Sequence, residues 1–315
     1  MKNVEILSVS IGTFYPTSLE SMERDFTVHK LWQAKDQDAL IADVGGHVRG
    51  IQTTATKGAS SQLIAALPRL EIISSCGVGV DAIDLDAAKR CGVIVTNTPD
   101  VLNECVADLA MGLTLATLQR ISVGDRYARA GSSPKGAPPL GYKVGGRTMG
   151  ILGYGRIGKA IAKRAEAFGM RIVYHGRSEQ AGVAHKYYAS LTEMARNCDV
   201  LMVICPGGAA THHIVNAEVL EALGPGGTLI NVARGSVVDE QALVKALVEG
   251  TLGAAGLDVF ESEPRVPEAL FRMDQVVLQP HVGSATHETR KAMGDLAVDN
   301  LRAHFTGKPV LTRVV

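Results

Sequence analysis

Aromatic side chains are scarce, at 4% of 315 residues, with a single tryptophan, Trp32. A core of this size must therefore be filled by Val, Ile, Leu, Ala and Met, the residues of strands packed beneath helices. Charge of one sign is also missing. The 32 Lys and Arg balance 32 Asp and Glu, and no basic run interrupts the chain. That balance argues against nucleic acid and against an acidic membrane surface as partners. No stretch approaches the roughly 18 continuous apolar residues that cross a bilayer. Cysteine is sparse and odd in number: Cys76, Cys91, Cys105, Cys198 and Cys205, with no C-x-x-C pair. These read as reduced, buried thiols in a reducing, cytoplasmic compartment rather than a disulfide framework. The N-terminal "MKNVEILSVSIGTF" reads as a first strand and not a targeting peptide, because Glu5 interrupts any apolar run of signal length.

What is present is small and apolar. Hydrophobic residues make up 46% and glycine contributes 34 positions. The length suits two domains. Short apolar runs alternate with helical patterns, which predicts parallel sheets covered by helices on both faces. "VEILSV", "LEIISSC" and "GVIVTN" read as strands of a first α/β unit. Asn103 is a plausible N-cap for a helix through "ECVADLAMGLTLATLQRI". The Gly/Pro-rich "AGSSPKGAPPLGYKVGG" then predicts a long surface loop or arm. Six strands follow in "TMGILG", "RIVYHG", "DVLMVIC", "GTLINVA", "AAGLDVF" and "QVVLQP", a doubly wound pattern. The C-terminal "ETRKAMGDLAVDNLRAHF" is an amphipathic helix expected to pack back on the first unit.

Gly153, Gly155 and Gly158 form G-x-G-x-x-G between an apolar strand and a helix, with a second strand beyond. In that setting the first glycine turns the chain, the second lets backbone approach a pyrophosphate, and the third lets helix and strand pack closely. The helix N-terminus then aims its N–H groups and dipole at the anion. An NAD site usually places an acid about 20 residues on, for the ribose 2′-hydroxyl. Here His175 stands 22 residues after Gly153, followed by Gly176, Arg177 and Ser178. A guanidinium and a hydroxyl suit a 2′-phosphate. The expected cofactor is therefore NADP(H), with NAD(H) kept open by the nearby Glu179.

Function in open α/β sheets gathers beyond the carboxyl ends of strands. Arg234, Glu263 and His281 fall there, 29 and 18 residues apart. An Arg can grip a carboxylate through paired hydrogen bonds. An imidazole can protonate a carbonyl oxygen as hydride arrives at its carbon. A neighbouring carboxylate orients that imidazole. This set fits reduction of a 2-oxo acid. Asp258 is a candidate acceptor for the nicotinamide carboxamide, with a turn or cap role as the competing reading. The N–H groups of Val78 and Gly79, in "SSCGVGVDAID", are candidates for a substrate carboxylate, against an ordinary βα turn.

"CGVGVDAIDLDAAKRCGVIVTNTPDVLNECVADLA", "GILGYGRIGKAIAKRAEAFG", "LINVARGSVVDEQALVKAL", "AGLDVFESEP" and "QPHVGSAT" together resemble the D-isomer-specific 2-hydroxyacid dehydrogenase family. Within it, "YHGRSEQ" and the C-terminal helix are similar to the NADPH-preferring glyoxylate/hydroxypyruvate reductases and to hydroxyphenylpyruvate reductases. The resemblance implies a Rossmann nucleotide-binding domain, over 99–287, inserted in a flavodoxin-like substrate domain made of 1–98 and 288–315. It implies that Arg234 binds substrate, that Glu263 supports the histidine and that His281 donates the proton. It also implies cofactor contacts at Arg156, Ile157, Cys205, Pro206, Thr211, Val232, Ala233 and Gly283, and a homodimer. The expected reaction is NADPH-dependent reduction of glyoxylate and hydroxypyruvate to glycolate and D-glycerate. A bulkier 2-oxo acid such as hydroxyphenylpyruvate is the alternative, and a dinucleotide-sensing corepressor is the alternative of another class. Two departures stand out. The arm over 130–147 holds no Trp, where relatives often place one, and the chain ends at Val315, unlike the longer phosphoglycerate dehydrogenases.

Overall fold

The computed structural model describes residues 1–12, 14–131 and 136–315. They divide into two units, residues 1–102 with 284–315, and residues 103–283. Each is built on one wholly parallel sheet.

In the first unit the strands are β1 (Glu5–Ser8), β2 (Thr27–Lys30), β3 (Val48–Thr54), β4 (Ile72–Cys76) and β5 (Ile94–Thr96). Their order is β2-β1-β3-β4-β5, the flavodoxin-like arrangement. Helices α1 (Pro16–Asp25), α2 (Gln37–Val44), α3 (Ser61–Ala65) and α4 (Leu85–Arg90) make the crossovers. The strands "VEILSV", "LEIISSC" and "GVIVTN" are β1, β4 and β5. Strands β2 and β3 escaped the apolar-run reading for different reasons. β2 is a partly exposed polar edge. β3 buries Gln52, Thr53 and Thr54. Their polar groups are satisfied locally: Ser8 donates to Gln52 at 2.6 Å, and Thr53 Oγ1 donates to the Gly58 carbonyl at 2.7 Å. Such satisfaction makes burial of polar side chains affordable in a core strand.

The C-terminal helix, α11 (His287–Phe305), belongs to this unit. Its apolar stripe places Met293, Ala297, Val298 and Leu301 at or near zero exposure. Ser74 of β4 donates to the Ala297 carbonyl at 2.8 Å, and Arg302 pairs with Asp25 of α1 at 2.6 Å.

The second unit opens with α5 (Asn103–Leu118) and α6 (Ile121–Arg129). The expected single helix through Ile121 is two. Arg120 takes a left-handed conformation, φ 53°, which no continuing helix tolerates. The chain segment at Tyr142 donates its N–H to the Leu118 carbonyl at 2.7 Å and so satisfies the helix end. Of the predicted arm, residues 132–135 lie outside the described residues, while 136–143 are exposed.

The sheet of this unit has seven strands: β6 (Thr148–Leu152), β7 (Arg171–His175), β8 (Lys186–Tyr187), β9 (Val200–Val203), β10 (Thr228–Asn231), β11 (Ala254–Leu257) and β12 (Val276–Leu278). The six expected strands are all present. The addition, β8, is a two-residue edge too short to show a pattern. The order β12-β11-β10-β9-β6-β7-β8 reverses direction between β6 and β9. That topological switch is where a doubly wound sheet opens a crevice. Helices α7 (Arg156–Ala167), α8 (Leu191–Arg196), α9 (Ala217–Leu223) and α10 (Glu240–Glu249) cover it with α5. Ser190, Asn216 and Asp239 cap α8, α9 and α10 through side-chain oxygens.

Candidate active site

The turn after β6 is set by its glycines. Gly153 sits at φ 101°. A Cβ there would meet the Cα and N of Cys205 at 2.6 Å, so the turns after β6 and β9 touch backbone to backbone at the switch point. At Gly158 a Cβ would meet the Gly153 carbonyl oxygen at 2.4 Å, which explains the third glycine by helix–turn packing. Gly155 differs: a Cβ there would meet nothing within 4 Å. Among the described residues no atom requires glycine at 155, whereas close approach of a pyrophosphate would. Helix α7, which carries Arg156, Ile157 and Gly158 in its first turn, has no side-chain cap. Its leading N–H groups thus point outward as anion donors. The residues present fit a dinucleotide.

Strand β7 ends at His175, whose Nδ1 donates to the Tyr188 carbonyl at 2.8 Å. Arg177 and Ser178 follow and are exposed. Among the described residues neither side chain has a hydrogen-bond or ion-pair partner. Gln180 shapes this corner: its N–H donates to the Tyr174 hydroxyl and its side chain to the Tyr154 carbonyl. Gln180 closes the quoted stretch "YHGRSEQ", but the sequence reading assigned it no role.

Beyond β9, Cys205 is buried, and burial pushes its thiol up to about 11. It is a neutral packing residue at physiological pH and not a nucleophile. Pro206 is exposed. Thr211 Oγ1 donates to the Pro206 carbonyl at 2.7 Å and closes the 206–211 loop.

The loops after β10, β11 and β12 bring the three charged candidates together. Asn231, 1% exposed, shapes the first: its side chain donates to the Arg234 carbonyl and accepts from the Ala233 N–H, both at 3.0 Å. Val232 and Ala233 are buried, and Arg234 is half-buried. At Gly235 a Cβ would overlap the Phe260 carbonyl carbon at 1.9 Å. The loop bearing Arg234 is therefore pressed against the loop bearing Glu263. Asn231 left a trace in the sequence, as an amide closing an apolar strand; Gly235 left none.

His281 Nδ1 lies 2.8 Å from a Glu263 carboxylate oxygen. An ionised carboxylate only accepts, so Nδ1 carries the hydrogen and Nε2 is left for proton exchange. Burial pushes the Glu263 carboxyl up. The hydrogen bond and charge of His281, the Phe260 N–H and the Arg234 charge outweigh it and hold the group below the usual carboxylate range. Glu263 is thus an anion at neutral and mildly acid pH, able to hold an imidazolium.

His281 itself sits at φ 56°, a costly conformation for a residue with a Cβ. Asp258 over-determines it. Its carbonyl accepts the His281 N–H at 2.7 Å, and its carboxylate oxygens accept the N–H groups of Val282 at 2.7 Å and Gly283 at 2.9 Å. Asp258 is 1% exposed, and burial leads the influences that raise its carboxyl above the usual range. Its visible contacts are those of the competing turn reading; each carboxylate oxygen retains a further lone pair.

In the first unit, Val78 and Gly79 follow β4. Gly77, at φ 143°, allows the turn, and a Cβ there would meet Ala55 Cβ at 2.5 Å. Thr98 Oγ1 accepts the Gly77 N–H at 2.9 Å, and Asn97 donates to the Val78 carbonyl at 2.9 Å. Among the described residues no partner takes the Val78 or Gly79 N–H.

A glycine-turned crevice at a sheet reversal, with an Arg, a His and a Glu on the next three strand ends, defines a nucleotide-binding oxidoreductase. Residues 111–283 match the family described as D-isomer specific 2-hydroxyacid dehydrogenase, NAD binding domain. The chain belongs to that family. It is 52% identical over 294 residues to glyoxylate/hydroxypyruvate reductase A of Arabidopsis thaliana, covering 93% of this chain and 94% of the relative. It is 51% identical over 296 residues to the hydroxyphenylpyruvate reductase of Plectranthus scutellarioides, covering 94% and 95%. Among solved structures it is similar to the NADPH-dependent glyoxylate/hydroxypyruvate reductase of Sinorhizobium meliloti in complex with NADP and malonate. That similarity has a TM-score of 0.91 at 45% identity, over 99% of this chain and 97% of the other.

Proposed function

We propose that this enzyme reduces glyoxylate and hydroxypyruvate to glycolate and D-glycerate, with NADPH preferred over NADH. The observation that carries the reading is the Glu263–His281 pair with Nε2 left free, beside Arg234, one sheet reversal from the dinucleotide turn. NADPH supplies the hydride. Arg234 holds the substrate carboxylate through charge-assisted hydrogen bonds. His281 gives its Nε2 proton to the carbonyl oxygen as that oxygen becomes an alkoxide. Glu263 stabilises the imidazolium before transfer and fixes the ring so that the second nitrogen faces the substrate. In the opposite direction the same pair accepts the hydroxyl proton. Arg177 and Ser178 select the 2′-phosphate, and the first turn of α7 holds the pyrophosphate. Arg156, Ile157, Cys205, Pro206, Thr211, Val232, Ala233, Asp258 and Gly283 line the cofactor, and Val78 and Gly79 offer N–H groups to the substrate.

We assign cofactor binding to residues 99–287 and the substrate domain to 1–98 with 288–315. The protein acts in the cytoplasm as a homodimer. No helix among the described residues is long and apolar enough to cross a membrane. The similarity to a hydroxyphenylpyruvate reductase favours a second reading, reduction of that bulkier acid. One experiment separates them: NADPH and NADH oxidation measured with glyoxylate, hydroxypyruvate and hydroxyphenylpyruvate. Higher kcat/KM for the two small acids with NADPH is the expected result. A preference for the aromatic acid selects the second reading, and no oxidation with any 2-oxo acid removes both.

A further inference from the structure

We propose that His212, His213 and Glu261 form a binding site for a divalent transition metal, separate from the residues assigned to the reaction. Each of the three offers one ligand atom, and these atoms lie within 4.8 Å of one another. Tetrahedral zinc with bonds of roughly 2.0–2.1 Å sets its ligand atoms about 3.4 Å apart. Rotation of the side chains would bring the three atoms to that spacing, His212 moving in and the His213–Glu261 pair opening slightly. His212 is exposed and makes no hydrogen bond among the described residues; its ring stacks on His213 with centroids 3.9 Å apart. It is free to turn towards the shared point. His213 Nε2 already meets Glu261 Oε1 at 2.7 Å. A metal ion would replace the proton they share. Two imidazoles and a carboxylate select zinc, cobalt, nickel or copper over magnesium or calcium, which prefer all-oxygen shells. Water supplies the remaining position at this exposed site.

Both ends of the site are anchored. His213 sits at φ 50°, with its N–H donating to the Ser236 carbonyl at 2.9 Å. Thr211 ties the preceding loop back to Pro206. The Glu261 N–H donates to Glu240 Oε2 at 3.0 Å, and Gly235 presses on the backbone beside it. The histidines thus come from the loop after β9 and the carboxylate from the loop after β11, two residues before Glu263. A bound ion fastens these loops to each other.

The test uses the full-length, untagged chain, stripped with a chelator. Zn²⁺ is titrated calorimetrically, and Co²⁺ is followed by the visible absorption of a low-symmetry cobalt site. The expected result is one saturable equivalent per chain, with affinity falling at lower pH because only unprotonated imidazole ligates. His212→Ala and Glu261→Gln each weaken that equivalent by at least about 10-fold, the loss that even outer-shell changes cause at metal sites. His212→Ala removes an exposed side chain without hydrogen bonds, so it keeps the fold, checked by an unchanged Tm without metal. No saturable binding below millimolar Zn²⁺, or an affinity unchanged in either variant, overturns the site and leaves a plain His213–Glu261 ion pair. Neither readout depends on turnover, so the result is independent of the reductase reading.

Discussion

At the scale of single residues, the proposed chemistry rests on which nitrogen of His281 is committed. Glu263 takes Nδ1–H, so only Nε2 can serve the substrate. His281→Ala is expected to lower kcat by roughly 10²-fold or more, the usual worth of a general acid. Steady-state kinetics with hydroxypyruvate checks it, and near-normal turnover rules His281 out as donor. Glu263→Gln separates support from donation. Because Glu263 is held ionised below the ordinary carboxylate range, it favours the imidazolium; the amide does not. The falling limb of the pH profile for reduction should therefore move to lower pH, with kcat retained on the acid side. An unmoved limb in the kcat/KM profile denies Glu263 that role. The cofactor corner yields a third expectation. Arg177→Asp should raise KM for NADPH about 10- to 100-fold, the worth of a charge-assisted hydrogen bond, and leave NADH nearly unaffected. Equal losses with both cofactors speak against a 2′-phosphate contact.

At the scale of elements, loops carry the proposed reacting groups, and backbone-to-backbone contacts hold the loops. Gly235 shows this most sharply. Its neighbours Phe260 and Glu261 leave no room for a methyl group, so the loops after β10 and β11 are pressed into one body. Gly235→Ala should cost at least ~2 kcal/mol, lowering the Tm of the second unit by roughly 4–8 °C. It should also reduce kcat/KM by displacing Arg234 from Glu263. Calorimetry and kinetics on the same preparation check both, and a Tm within a degree of wild type would show that the contact yields freely. Asp258 plays a related part after β12: one buried carboxylate and its own carbonyl receive three successive N–H groups, from His281 to Gly283. The left-handed backbone at His281 persists because those bonds offset its strain.

At the scale of the whole molecule, stability and cofactor choice are linked. A ligand that binds only the folded state stabilises it by about 2.7 kcal/mol at 100 times its Kd. NADPH should therefore raise the Tm more than NADH at equal concentration, and Arg177→Asp should abolish the difference. Differential scanning calorimetry reads this directly; equal shifts with both nucleotides would remove the NADPH preference. The proposed homodimer is checked by sedimentation equilibrium over a range of protein concentrations, where a monomer throughout overturns it.

Much of this protein was legible in its residues alone. Alternating apolar runs and helical periods announced parallel sheets, because a strand buried on both faces must be apolar throughout. The glycine triplet declared its turn, since only glycine takes φ 101° at Gly153 or fits against a carbonyl oxygen at Gly158. Arg234, Glu263 and His281 stood out as polar residues at the ends of apolar strands. Other features belong to tertiary structure. Strand β3 hides because its buried Gln52, Thr53 and Thr54 look like loop residues until the fold supplies their partners, Ser8 of β1 for Gln52 and the turn at Gly58 for Thr53. The division of α5 from α6 depends on a segment more than twenty residues further on capping Leu118. Gly235, Asn231 and the His212–His213–Glu261 cluster gain meaning only from neighbours that the sheet order supplies. Local backbone and side-chain preferences act within a few residues and can be read in order along the chain; close approach between distant loops is a property of packing, which only the folded chain decides.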